Sequence, residues 1–197
     1  ESNTQPGMPK YKDLNGDGII DTNDRTMIGR GLPIHTGGFT NNFEYKGFDL
    51  SVFFQWSYGN DVLNANRLFF DSGFQKKREL NQYASYTNRW TPENPNSDIP
   101  AATNSSSNLV ISSRVVEDAS FLRLKTVTLG YTVPKTFLKK YKIDNARLYV
   151  AAQNLWTITG YSGYDPEVSI RSGGLTPGLD FSSYPRALSV SFGINLG

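Results

Sequence analysis

The stretch Phe48-Asp49-Leu50-Ser51-Val52-Phe53-Phe54-Gln55-Trp56-Ser57-Tyr58 decides the fold. Phe48, Leu50, Val52, Phe54, Trp56 and Tyr58 share one parity, and Asp49, Ser51, Gln55 and Ser57 share the other. An extended chain therefore has an apolar face and a polar face, with Phe53 the one apolar residue on the polar side. Globular strands average about five or six residues, whereas a tilted strand needs roughly nine to eleven to cross a bilayer. The run 48–58 has the membrane length.

The same pattern extends outward in both directions. Upstream, across a tight Lys46-Gly47 turn, residues 36–46 place Phe39, Phe43 and Tyr45 with Gly37 and Asn41 on one parity, and Thr40, Asn42 and Glu44 on the other. Downstream, residues 59–118 lose the alternation, and short helices are expected at Asp61 to Phe70 and Lys77 to Tyr86 before Pro92, Pro95, Pro100 and the Asn/Ser run 103–108 break the segment. Alternation returns over 120–133, where Val127, Leu129 and Tyr131 agree in parity but Leu122 and Leu124 do not. A β-bulge near Lys125 would reconcile them, or the leucine pair faces the interior at the rim. Further strands follow at 146–158, with Leu148, Val150, Ala152, Trp156 and Ile158 on one side, and at 185–196, with Leu188, Val190, Phe192, Ile194 and Leu196.

Five long two-faced strands are joined by a short turn, a very long loop, a medium connector and a medium loop. Transmembrane barrels have this asymmetry, short turns at one membrane surface and long loops at the other, with aromatic girdles at both. If Lys46-Gly47 lies on the periplasmic side, Trp56, Tyr58 and Trp156 share the outer interface and Tyr45, Phe48 and Tyr131 the inner one. The fold class expected is all-β, a set of antiparallel strands of a transmembrane β-barrel whose long extracellular loops contain short helices. The alternative is a soluble sandwich, in which a second sheet covers the apolar face.

Composition agrees with extended structure: 12 Phe, 11 Tyr and 3 Trp accompany 18 Gly. The net charge of +2 gives no electrostatic case for nucleic acid, and the absence of cysteine excludes disulfides, thiol nucleophiles and Cys-ligated zinc. No apolar run reaches the roughly 18 residues of a membrane helix. The chain opens at Glu1 without a methionine, which suggests a piece of a longer protein.

Residues 1–35 read as an extracellular loop around a calcium-binding turn, and 36–197 as barrel. In the turn, Asp13, Asn15, Asp17, the Ile19 carbonyl, Asp21 and Asp24 occupy positions 1, 3, 5, 7, 9 and 12 of an EF-hand-type loop, with Gly18 at the sharp turn. Calcium takes six to eight hard oxygen ligands, which this set supplies. Asp24 stands where such loops carry glutamate, and Pro6 and Pro9 exclude an incoming helix, so a structural clamp is expected rather than a sensor. A metal-free Asp/Asn/Gly turn is the alternative.

Several motifs resemble the C-terminal part of SusC/RagA-type TonB-dependent outer-membrane transporters. They are Pro6 to Asp21, Thr36-Gly37-Gly38-Phe39-Thr40-Asn41, Phe48 to Gln55, Arg89-Trp90-Thr91-Pro92-Glu93-Asn94-Pro95, Phe121-Leu122-Arg123-Leu124-Lys125, Leu129-Gly130-Tyr131 and Tyr161-Ser162-Gly163-Tyr164-Asp165-Pro166-Glu167. The resemblance implies the last five strands of a 22-stranded barrel with its plug domain upstream. It also implies uptake of oligosaccharides or peptides, a SusD-like surface lipoprotein as partner, energy from the TonB complex, and location in the bacterial outer membrane. Such barrels usually end on an aromatic residue, whereas this chain ends Asn195-Leu196-Gly197, so a residue or two is expected beyond it.

Other functions find less support. A secreted calcium-dependent sandwich with a dockerin-like loop rests on the 13–24 turn alone. An enzyme is not expected: His35 is the only histidine and has no triad context, and neither Glu117-Asp118 nor Asp165 with Glu167 has glycosidase spacing. Trp90, Tyr161 and Tyr164 are candidates for stacking on cargo, with loop packing the commoner role for such rings.

Overall fold

Strands form where alternation is sustained. The computed structural model describes residues 5–73, 81–104, 106–170 and 177–197. Its strands are β1 His35–Tyr45, β2 Phe48–Tyr58, β3 Asp61–Asn64, β4 Val116–Asp118, β5 Phe121–Thr132, β6 Ala146–Thr159, β7 Leu179–Asp180 and β8 Ser189–Leu196, with short helices α1 Ala65–Phe70 and α2 Lys135–Leu138. Among the described residues no helix is long and apolar enough to cross a membrane. The chain divides into two compact units, one of Glu1–Gly31, Asp61–Glu117 and Ser169–Ser183, the other of Leu32–Asn60, Asp118–Val168 and Tyr184–Gly197.

The second unit is built on a five-stranded sheet in the order β1-β2-β5-β6-β8, antiparallel throughout. Its first hairpin closes through Lys46 at φ 46° and Gly47 at φ 87°. Left-handed backbone at both turn residues matches the right-handed twist of the strands it joins. The last strand starts at Ser189 rather than 185, because Pro185 has no amide to give a ladder and the Arg186 amide is committed to Asp165.

The bulge, not the rim, resolves the parity conflict in β5. Phe53 faces Thr126 and Phe54 faces Leu124, so Lys125 has no opposite number on β2. On the other side Leu124 faces Trp156 and Thr126 faces Gln153, and Asn154, at φ 54°, absorbs the extra residue of β6. Leu122 and Leu124 thereby rejoin Val127, Leu129 and Tyr131 on the face of Phe48, Leu50, Val52, Phe54 and Trp56.

That face is apolar and open. Phe39, Phe43, Leu129, Leu148, Ile194 and Leu196 are all exposed, and Phe192 is 81% exposed. Aromatic rings gather at both ends. Trp56 donates Nε1–H to His35 Nδ1 at 3.1 Å and His35 stacks on Tyr58 at 5.1 Å, while Phe48 and Tyr131 meet at 4.5 Å at the hairpin end. A sandwich would need a matching second sheet, and the other sheet, β4-β3-β7, has strands of only three, four and two residues.

The first unit packs Val62, Leu68, Tyr86 and Val115 into its core. The helix expected from Asp61 begins only at Ala65. Residues 61–64 instead form β3, which pairs parallel with β7, and the buried Asn64 turns the chain into α1 by accepting the Arg67 amide at 3.3 Å. Of the second expected helix, Lys77 to Tyr86, residues 77–80 lie outside the described residues. In its described part the expected α-helix is replaced by the start of a 3-10 helix, Ala84–Asn88.

Candidate functional site

The polar face of the five-stranded sheet carries paired charges. Arg123 sits on β5 at 2% exposure, and a buried guanidinium requires partners. Its Nη2 donates to Asp165 Oδ1 at 2.6 Å and its Nη1 lies 2.9 Å from Glu167 Oε2. Lys125 Nζ reaches the same Glu167 oxygen at 3.1 Å, two residues along β5 and so on the side of Arg123. Gln55 of β2 donates to Glu167 Oε1 at 3.4 Å, and Arg186 Nε stands 3.7 Å from Oε2. Asp165 also receives the backbone amides of Glu167 and Arg186, each at 2.9 Å.

Nearer the hairpin end, Arg147 of β6 donates Nε–H to Asp49 Oδ1 at 3.0 Å and pairs through Nη2 with Oδ2, crossing over Gly130 of β5. Any side chain at 130 would occupy the space of that pair. Gly38 plays the same part for Phe53, the apolar exception on this face. A Cβ at 38 would lie 2.7 Å from the ring.

Burial alone would raise the Asp165 carboxyl. The Arg123 hydrogen bond, the two backbone amides and the Arg123 charge outweigh it and hold the group below its ordinary value. A depressed folded-state pKa contributes stability that is complete above the unfolded value, about 3.9, and is lost as pH falls through the folded value. Segment 161–168 should therefore keep its protection against protease from neutral pH down to about pH 4 and lose it only below. Limited proteolysis across that range reads the transition, and loss of protection already between pH 6 and 7 would contradict it.

In the first unit the acidic turn folds around its own amides. Asp13 accepts from Gly16 and Gly18 at 2.6 and 2.8 Å, Asp17 from Ile19 at 2.8 Å, and Asp21 from Asn23 at 2.7 Å. Asp24 closes the ring, taking the Leu14 amide at 2.7 Å and the Asp21 amide at 2.9 Å. These amides, Asp21's first, hold the Asp24 carboxyl below its ordinary value. Gly16 and Gly18, at φ 78° and 81°, make the two sharp bends. The exit is one 3-10 turn, Thr22–Asp24, capped by Asp21. Among the described residues no group of three or more His, Cys, Asp or Glu side chains is gathered as a metal site. The donor set is all oxygen, and a carboxylate oxygen holding one amide keeps a lone pair free.

The three candidate rings separate. Tyr161 is buried at 5% exposure, Trp90 packs over Gly7, and Tyr164 is 84% exposed. Trp90 is half-buried, and Tyr164 alone of the three is largely exposed.

Comparison with known proteins gives the family. The chain is 39% identical over 198 residues to TonB-dependent receptor P3 of Formosa agariphila, the alignment covering 98% of this chain and 19% of that receptor. It is 28% identical to TonB-dependent receptor SusC of Bacteroides thetaiotaomicron, covering 100% of this chain and 18% of SusC. A solved structure of the RagAB peptide transporter superposes with a TM-score of 0.76 at 30% identity, over 90% of this chain and 19% of that one.

This chain is a SusC/RagA-type segment. No protein-family model matches it. The SusC/RagA-type segment spans about a fifth of the length of the relatives it matches, which are receptors and transporters rather than enzymes. Within it, sequence reasoning passed over Arg123, Lys125 and Arg186 as site residues. The available signal was an arginine at a strand-interior position, where a charge is almost never left without a partner.

Proposed function

We propose that this segment forms part of the wall of an outer-membrane importer that takes up oligosaccharides or peptides. A SusD-like surface lipoprotein acts as lid, and the TonB complex supplies energy through parts of the protein outside this chain. The observation that carries the reading is the two-faced sheet, with one side apolar, exposed and rimmed by aromatic rings, the other polar and ion-paired. Lipid requires the first and a water-filled lumen the second. The connections support the same assignment: Lys46-Gly47 and 133–145 join strands at one end, while 59–120 and 160–188 join them at the other. Detergent-solubilised full-length protein is expected to show β-type circular dichroism and heat-modifiable gel migration. A protein with neither would not be a barrel, and the proposal would fail.

We also propose that the 13–24 turn holds one structural calcium through Asp13, Asn15, Asp17, Ile19, Asp21 and Asp24. The support is the spacing of six oxygen donors on a ring already closed by Asp24. Four carboxylates in one short turn repel one another, and a divalent cation would relieve that repulsion.

A further inference from the structure

Segment 161–168 is neither helix nor strand, yet Tyr161, Asp165, Pro166 and Val168 are buried while Tyr164 and Ser162 face solvent. A loop whose backbone makes little regular structure has to be held by its side chains. Here the holding groups are charges. Arg123 bridges Asp165 and Glu167, which sit two residues apart, Lys125 shares the Glu167 oxygen that Arg123 holds, and Gln55 donates to the other. The second oxygen of Asp165 receives the Arg186 amide, so one carboxylate ties together two separate approaches of the chain, 161–168 and the lead into β8. Tyr184, two residues before Arg186, is 90% exposed.

We propose that the Arg123–Asp165–Glu167 cluster is an ion lock that fixes segment 161–168 on the polar face of the sheet. Arg123 thereby acts as the positioning residue for the exposed rings of Tyr164 and Tyr184. The inference rests on the reading of that face as barrel lumen. Three features mark a lock rather than incidental surface pairing. The central guanidinium is 2% exposed and Asp165 3%, so water does not compete for the pair. The planar guanidinium engages both carboxylates with separate nitrogens, a geometry that lysine does not reproduce. Lys125 adds a second cation to the same carboxylate oxygen. Removing Arg123 leaves the buried Asp165 without a charged partner, and removing Asp165 leaves the buried guanidinium with Glu167 alone.

The test uses the full-length transporter in detergent and follows amide hydrogen exchange of peptides covering 161–168, with heat-modifiable migration recorded on the same samples. Asp165→Asn keeps the side-chain volume, removes the charge and leaves one acceptor oxygen where there were two. It should speed exchange in that segment about tenfold or more while exchange in β2 and migration stay as in wild type. Arg123→Lys should fall in between, and Arg123→Met should match or exceed Asp165→Asn. Should Arg123→Met not assemble, Glu167→Gln reads the same lock from its other side. Wild-type exchange in Asp165→Asn and Glu167→Gln, on barrels that migrate normally, would overturn the lock and leave the barrel reading intact. Wild-type protein without barrel migration would fail the function instead.

Discussion

Arginine at Val52 should lower the stability of the assembled barrel by about 2–4 kcal/mol, while arginine at Thr128 should cost on the order of 1 kcal/mol or less. The positions are close. Val52 lies in the middle of β2, opposite Asn41 on one side and Val127 on the other, and Thr128 is the next residue along β5, opposite Ser51 and Ala151. What separates them is the face. Val52 shares its side with Phe54 and Leu50, where a guanidinium would sit in hydrocarbon with no carboxylate to pair it, and the cost is greatest at mid-strand because snorkelling to either interface is longest there. Thr128 shares its side with Ser51, Gln55 and the paired ions, where water and carboxylates solvate a cation. Denaturant unfolding of the full-length protein from lipid vesicles, comparing midpoints for Val52→Arg, Thr128→Arg and wild type, gives the two costs. Equal costs would mean that the sheet does not separate lipid from lumen.

The contrast between these two residues was legible in the sequence because a strand's facing is a local property. Side chains alternate with period two, so Val52 and Thr128 declare their sides through their immediate neighbours. The same rule stalled at Lys125. Local parity registers that a residue has been added but not which strand accommodates it, and the answer lay in Asn154, an asparagine able to take the left-handed backbone that the bulge in β6 needs. The ion lock was beyond such reasoning altogether. Arg123 and Asp165 are 42 residues apart, and no periodicity connects a strand residue with a loop that folds back onto it. Asp165 and Glu167 were weighed as an acid pair for catalysis and dismissed on spacing, when their partners were two cations of β5. The acidic turn is the opposite case. Its hydrogen bonds at Asp13 and Asp24 span ten residues or fewer, so a turn from Asp13 to Asp24 was legible, though read as a set of calcium ligands and not as carboxylates holding backbone amides.

That turn carries the second large effect. With calcium about tenfold above its dissociation constant, segment 5–30 of the full-length protein should survive protease about ten times longer than after chelation, equivalent to about 1.4 kcal/mol. Extracellular calcium modules bind at roughly 10⁻⁴ to 10⁻³ M, so millimolar calcium is the range in which to see it. Asp17→Ala should abolish the calcium dependence, but it also removes the acceptor of the Ile19 amide and of the Asn15 side chain. Asp17→Asn is the sharper variant. Its amide oxygen can still accept the Ile19 amide, so the turn keeps that backbone bond and gives up only the Asn15 side-chain contact, while one of four carboxylates is neutralised. If calcium holds the loop, Asp17→Asn should lose most of the protection at 1 mM calcium and recover it at higher concentration. Magnesium should not substitute, because it demands a tight octahedron and gives up its water reluctantly. If instead the amides on Asp13 and Asp24 hold the loop unaided, protection will be the same with calcium, with chelator and in Asp17→Asn, and the turn is a hydrogen-bonded ring that needs no metal.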